Sequence, residues 1–368
     1  VNVIFRVDAS FEIGNGHVMR CLTLAIALES CGARCSFICR DLPGNLINLI
    51  RSRGFNVDVL PAPLEDFPNA GLQSKGGIDY SLWLGVDSKT DLVQTQMAIK
   101  GEHPDRLVVD HYGLNKPWES AARASCHKLI VIDDLVDRFH DCDLLINQNF
   151  GATKIAYEGL VPSNCKILAG EKYALLRREF AEFRSLSLLR RDSPLVKNIL
   201  ITMGGVDQKN ITTLVLRVIE ACYFPEDIKF TVVMGPNAPW IDDVRNFAES
   251  MSKPVCIRVN VENMAGLMAG SDLVIAAAGS TTWELCCLGV PAIMIVLADN
   301  QLATANRLQK ELISMILEIT HNFEDELKRG MEHIINNASV QISLSKKSRR
   351  IIDGLGSLRV ASAVSDGA

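Results

Sequence analysis

The stretch NVIFRVDASFEIGNGHVMRCLTLAIALES, residues 2–30, decides how the rest of the chain is read. It opens on a short apolar run, Asn2–Val7, without strict alternation, the pattern of a strand buried on both faces. A polar turn containing Gly14 and Gly16 follows, and His17–Ser30 then has the length and composition of a helix. Strand, glycine turn, helix is one unit of a parallel α/β sheet.

The unit recurs. Strands are expected over Cys35–Cys39, Asn56–Leu60, Leu107–Asp110, Leu129–Ile132 and Leu144–Ile146, with helices such as Asn45–Arg53, Lys89–Lys100 and Pro117–Cys126 between them. A second series starts at the strand Asn198–Met203 and runs through strands Lys229–Val233, Val255–Val259, Asp272–Ala276 and Ala292–Val296, each followed by a helical segment, and ends with long helices over Gln301–Ile316 and Phe323–Asn337. A length of 368 residues suits two domains. The fold class expected is therefore α/β, with two Rossmann-like, doubly wound domains and ligands in the cleft between them, at the C-terminal ends of the strands. The expected boundaries are 1–183, 195–345 and a helical tail, 346–368, able to pack back on the first domain; the join falls within the polar, basic Phe183–Lys197.

Composition narrows the function. The chain is 48% apolar and 22% charged, which excludes disorder as its main state, and a net charge of −5 argues against a nucleic-acid binder. Eleven cysteines show no zinc spacing and read as reduced, mostly buried thiols of a cytoplasmic protein. Arg6 and Asp8 interrupt the first apolar run, so no signal peptide is expected there, and Gly279, Glu284, Gly289 and Pro291 break the most membrane-like stretch, Leu273–Ala298. No membrane partner is expected, and the absence of a long apolar stripe points to a monomer.

The candidate chemistry sits in the turns. Gly14 and Gly16 let the backbone approach a ligand, and His17 at a helix start is kept neutral and able to accept a proton. Asp8, ending the strand, is the residue expected to orient its ring. Met19 replaces the third glycine of a dinucleotide fingerprint, so NAD is not expected. In the second half, the Gly204-Gly205 turn and Gly279-Ser280-Thr281 each follow a strand and start a helix, which suits a diphosphate held by amides and hydroxyls, although Ser280 and Thr281 also read as ordinary caps. Glu284, one turn on, is placed to accept from ribose hydroxyls. Asp299, Asn300 and Gln301 form a polar set suited to a sugar, and Tyr112 in Asp110-His111-Tyr112-Gly113 reaches the same cleft mouth. Asp133-Asp134 reads as turn and capping residues rather than a metal pair, and His103, His127, His140, His321 and His333 as surface or packing residues. No metal site and no cofactor are expected.

The segments RVDASFEIGNGHVMRC (6–21), VVDHYGL (108–114), VIDDLVDRFHDCDLLINQN (131–149), GEKYALLRREF (170–180), MGGVD (203–207), AAGSTTWE (277–284) and LADNQ (297–301) occur in order along most of the chain. Together they resemble the UDP-sugar hydrolases of the pseudaminic acid pathway, the UDP-2,4-diacetamido-2,4,6-trideoxy-β-L-altropyranose hydrolase family. The resemblance implies a GT-B fold, shared with MurG-type transferases, in which the C-terminal domain carries the nucleotide. It implies that water attacks the anomeric carbon with inversion and that UDP leaves. His17 then matches the family's general base, Glu284 the ribose-binding glutamate of MurG-like transferases, and Tyr112 and Asn300 fall in substrate-facing motifs. Two other classes stay open on residues alone: a UDP-sugar glycosyltransferase of the same fold, and a nucleotide-sugar binding protein without activity.

Overall fold

A computed structural model of the chain describes residues 1–63, 79–99, 101 and 103–366, without the side chain of Asn300. The chain divides into two compact units, Val1–Leu175 together with the chain from Gly356, and Leu176–Leu355.

In the first unit the order is β1 (Asn2–Val7), α1 (Gly16–Ser30), β2 (Arg34–Arg40), α2 (Ile47–Ser52), β3 (Asn56–Leu60), α3 (Ser88–Ile99), β4 (Arg106–Asp110), α4 (Lys116–Ala122), β5 (Lys128–Ile132), β6 (Leu144–Asn147) and β7 (Lys166–Ala169). The strands form one parallel sheet, β3-β2-β1-β4-β5-β6-β7. Because side chains alternate along a strand, each strand feeds two cores. Val3, Phe5, Val7 and Val108 pack with α1, while Ile4, Leu107 and Val109 pack with Trp118 and Ala122 of α4.

The second unit runs α5 (Arg178–Arg191), β8 (Asn198–Thr202), α6 (Ile211–Ala221), β9 (Lys229–Met234), α7 (Ile241–Ser250), β10 (Val255–Val259), α8 (Met264–Ala269), β11 (Leu273–Ala277), α9 (Thr281–Leu288), β12 (Ala292–Val296), α10 (Asp299–Lys310), β13 (Met315–Glu318), α11 (Phe323–Ile335) and α12 (Ala338–Ser348). Its sheet is also parallel, β10-β9-β8-β11-β12-β13. In both sheets the strand order reverses beside the first strand, between β1 and β4 and between β8 and β11. Such switch points open a crevice at the strands' C-terminal ends.

Three expectations need correction. The expected join, 183–197, is largely helix: α5 packs on α8 and α9, and Ser187 Oγ donates to Leu288 O at 2.7 Å, so this segment is part of the second unit. The last segment is split: α12 belongs to the second unit, whereas α13 (Gly356–Ser365) puts Val360, Ala361 and Val364 into the α1 side of the first unit's core. The helix expected over Gln301–Ile316 ends at Lys310; Leu312 takes φ 54°, which breaks the helix, and Met315–Ile316 starts a strand. Among the described residues no helix is long and apolar enough to cross a membrane.

Candidate functional site

The first unit's switch point carries His17. The turn after β1 is tied by Ser10, whose Oγ accepts from the Glu12 and Ile13 amides at 3.1 and 3.0 Å and whose carbonyl accepts from Gly14 N at 2.8 Å. Gly14 has φ 77°, a conformation L side chains rarely adopt. A Cβ on Gly16 would meet nothing within 4 Å, so the chain's own packing does not demand a glycine there.

His17 lies in the first turn of α1 with a side chain 9% exposed. Its Nδ1 is 2.6 Å from Oδ1 of Asp110, the last residue of β4. Arg20, one turn further along α1, grips the same carboxylate with a fork: Nε to Oδ2 at 2.6 Å and Nη2 to Oδ1 at 2.6 Å. Burial alone raises the Asp110 carboxyl, but Arg20 and then His17 outweigh it and hold it well below the usual carboxylate range. An ionised carboxylate only accepts, so this contact places a proton on Nδ1, and in the neutral ring the lone pair is then on Nε2. Arg20 also pairs with Asp134, which accepts from the Tyr112 hydroxyl at 2.9 Å. The Tyr112 ring meets His17 edge-on at 4.6 Å and stacks on Trp83 at 5.6 Å, and Tyr80 closes the aromatic group 4.8 Å from Trp83. Burial, with Asp134 adding, pushes the Tyr112 phenol well up.

Asp8 does not orient His17. It shares strand parity with Ile4 and Arg6, so it points to the face opposite α1. There it is 2.7 Å from Arg6 Nη1 and accepts from Arg40 N at 2.7 Å. Arg6 and Arg40 both reach Asp91 of α3, at 2.5 and 2.7 Å, completing a fully buried group of two arginines and two aspartates. Asp110, in register with Val7 and on the parity of Val108, faces α1 instead. His140 is likewise no isolated packing residue. It is buried, 2.7 Å from Glu119 and 3.8 Å from Asp133; burial lowers its affinity for a proton, but the two carboxylates raise its pKa to about 9. Asp133 caps its turn through Val136 N at 3.0 Å, as expected, whereas Asp134 belongs to the site.

At the second unit's switch point the two glycine turns differ. After β8, Gly204 takes φ 83°, and a Cβ on Gly235 would lie 2.0 Å from Gly205 O, so two backbones touch there. Asp207 accepts from the Ile211 and Thr212 amides at 2.8 and 2.9 Å, and Asn210 from Thr213 N at 3.3 Å. The first-turn donors of α6 are therefore already used, which weakens the expectation that this turn meets a phosphate. At α9 the start is only partly satisfied: Thr282 N donates to Gly279 O and Trp283 N to Ser280 O, each at 3.0 Å. No side chain caps the helix, so Ser280 and Thr281 are not spent on capping, and among the described residues the Ser280 and Thr281 amides have no intramolecular partner. Ser280 is exposed. Glu284 is half-buried one turn on, 3.8 Å from Arg177 Nη2; burial pushes its carboxyl up to about 7, with Arg177 opposing and Glu179 adding. Gln301 Oε1 accepts from Leu297 N at 2.9 Å, and its Nε2 lies 3.9 Å from where a Gly279 Cβ would be, so it joins the turn after β12 to the turn after β11. Asp299 is exposed at the start of α10, and the side chain of Asn300 is outside the described residues.

Sequence reading thus located both turns but missed Asp110, Arg20, Asp134, Trp83 and Arg177 as partners. All but Trp83 lay within the quoted motifs, and strand parity separates Asp110 from Asp8.

Residues 198–357 match the family model described as the glycosyltransferase family 28 C-terminal domain. The chain is 28% identical over 84% of its length to the UDP-2,4-diacetamido-2,4,6-trideoxy-beta-L-altropyranose hydrolase of Campylobacter jejuni, covering 97% of that protein. It is 30% identical to the spore coat polysaccharide biosynthesis protein SpsG of Bacillus subtilis over 61% of this chain and 65% of that one. An uncharacterized protein of Methanocaldococcus jannaschii is 26% identical over 96% of this chain, which spans 66% of that relative's length. Among solved structures, MurG of Acinetobacter baumannii superposes with a TM-score of 0.66 at 16% identity, covering 99% of each chain. The fold is the two-domain Rossmann-like GT-B class.

Proposed function

We propose that the chain hydrolyses a UDP-2,4-diacetamido-2,4,6-trideoxy sugar to UDP and the free sugar, in pseudaminic acid biosynthesis. The observation that carries this reading is the His17–Asp110 pair, with Nε2 free of any partner among the described residues, at the switch point of the first sheet. Homology to the Campylobacter hydrolase supports the substrate class.

In this reading His17 Nε2 takes a proton from water as the oxygen attacks the anomeric carbon. The C–O bond to the diphosphate breaks and UDP leaves with inversion. Asp110 fixes the tautomer and stabilises the imidazolium that forms, the role of an orienting carboxylate. Arg20 keeps that carboxylate ionised. Tyr112, Gly14 and Gly16, with Asp299, Asn300 and Gln301, contact the sugar. The diphosphate lies at the α9 turn, on the Ser280 and Thr281 amides and hydroxyls beside Gly279, and Glu284 accepts from the ribose. Gly204 and Gly205 line the nucleotide without the α6 amides. UDP is a good leaving group, so a single base suffices, and the reading needs no metal or cofactor. The acting species is a cytoplasmic monomer.

The family 28 match favours a second reading, transfer of the sugar to an acceptor other than water. UDP release from a panel of UDP-2,4-diacetamido-2,4,6-trideoxy sugars, with no acceptor present, separates the two. Hydrolysis predicts stoichiometric UDP and free sugar, with turnover down by at least about 10²-fold in His17→Asn. Release only on adding an acceptor, or near-normal turnover in His17→Asn, would overturn it.

A further inference from the structure

The first unit holds a second reactive group away from the candidate site. Cys142 lies two residues before β6 and Cys165 immediately before β7, at the strands' N-terminal ends. The two strands are hydrogen-bonded neighbours, with Leu144 opposite Lys166, and Lys166 N donates to Asp143 O at 2.9 Å. The sheet therefore fixes both cysteines, and it leaves their sulfurs 3.6 Å apart. A disulfide bond measures about 2.05 Å, so the two sulfurs must approach by about 1.5 Å for the pair to close. Cys142 is fully buried, while Cys165 is partly exposed. No other two cysteine sulfurs among the described residues are in hydrogen-bonding contact, and the exposed Cys31 and Cys256 have no such neighbour.

We propose that Cys142 and Cys165 are a redox-active dithiol that a peroxide converts to a disulfide, with Cys165 as the thiol oxidised first. The hydrogen bond from Cys142 lowers the Cys165 thiol, against burial, and the same bond together with burial raises Cys142. This ordering matches the exposure: the accessible sulfur is the better nucleophile. The Cys165 thiolate attacks one peroxide oxygen, the O–O bond breaks, and the hydroxide released takes a proton to become water. Cys142 then attacks the sulfenic sulfur, expelling the second oxygen as water. Two thiols are oxidised by two electrons and one peroxide is reduced to two waters. The bond would fasten the end of the segment that carries Asp134 and Arg138, both of which hold Tyr112.

The test uses the full chain, reduced, desalted and exposed to hydrogen peroxide, then digested without reductant and read by mass spectrometry. The expected product is a peptide pair linked through Cys142 and Cys165, lighter by two hydrogens and separated by dithiothreitol. In Cys142→Ser the Cys165 sulfenic acid should persist and be trapped by dimedone, an adduct that wild type forms only weakly. Linkage through other cysteines would overturn the proposal. So would a wild-type protein whose Cys165 takes dimedone without linking, or one whose Cys31 and Cys256 oxidise while this pair stays reduced.

Discussion

The tautomer and aim of a histidine are set by what holds its second nitrogen, and the holding residue here is set by strand parity. Asp8 and Asp110 end neighbouring strands, both are fully buried, and both face arginines. Only Asp110 projects toward α1. The two carboxylates therefore separate by function. Asp110→Asn should cost stability, because Arg20 keeps only Asp134, and should also lower kcat per folded molecule by about 10²–10⁴-fold, because the amide no longer fixes the tautomer or stabilises the imidazolium. Asp8→Asn should instead leave Arg6 with an incomplete partner set, costing about 3–5 kcal/mol of stability, with kcat per folded molecule within about tenfold of wild type. Steady-state UDP release, normalised by urea melts, distinguishes them; equal losses of kcat would refute the assignment. This distinction was available in the sequence, since Ile4, Arg6 and Asp8 alternate with Val3, Phe5 and Val7. What was not available was the neighbour: that β4 rather than β2 brings its terminal carboxylate over α1 depends on strand order.

At the scale of elements, the two glycine turns of the second unit look alike as sequence and differ as structure. Asp207 and Asn210 consume the donors that start α6, while at α9 the Thr282 and Trp283 amides are used and those of Ser280 and Thr281 have no partner among the described residues. A cap and a ligand site have the same composition, so only the hydrogen bonds tell them apart. The proposed function accordingly puts the nucleotide at α9, with Glu284 on the ribose. Glu284 titrates near 7 because burial disfavours its charge. Its carboxylate fraction rises as pH climbs through that value, and an ionised carboxylate is the better acceptor for ribose hydroxyls. UDP affinity measured by calorimetry should therefore increase between pH 6 and 8, and Glu284→Gln should bind more weakly with a flatter profile. A wild-type affinity that falls over that range would contradict the role. The same scale explains the missed strand β13. Met315-Ile316 continues an apolar helical pattern, and nothing local announces the left-handed Leu312 that ends it.

At the scale of the molecule, two doubly wound units were legible because parallel strands buried on both faces read as unbroken apolar runs. Their limits were not. Basic composition suggested a linker at 183–197, yet the arginines there satisfy buried partners: Arg190 pairs with Asp272 at 2.7 Å and Arg191 Nη2 donates to Ala269 O at 2.8 Å. The chain's return to the first unit is a feature of packing alone. Val360, Ala361 and Val364 are buried against the α1 core, and Arg106 Nε donates to Val364 O at 2.9 Å. Deleting the chain from Gly356 should therefore lower the first unit's stability by several kcal/mol, about the cost of three exposed apolar side chains and a lost buried hydrogen bond. The second unit should keep its own melting transition. Differential scanning calorimetry reads both, and an unchanged first-unit transition would show that α13 is not part of that core.

In the proposed reaction, water deprotonated by His17 attacks the anomeric carbon of a UDP-sugar. The most direct measurement is turnover in ¹⁸O-water without acceptor, followed by mass spectrometry of both products. One ¹⁸O is expected in the released sugar and none in UDP, with an inverted anomer in the first product formed. Label in the UDP phosphate would place the attack at phosphorus and contradict the proposed reaction.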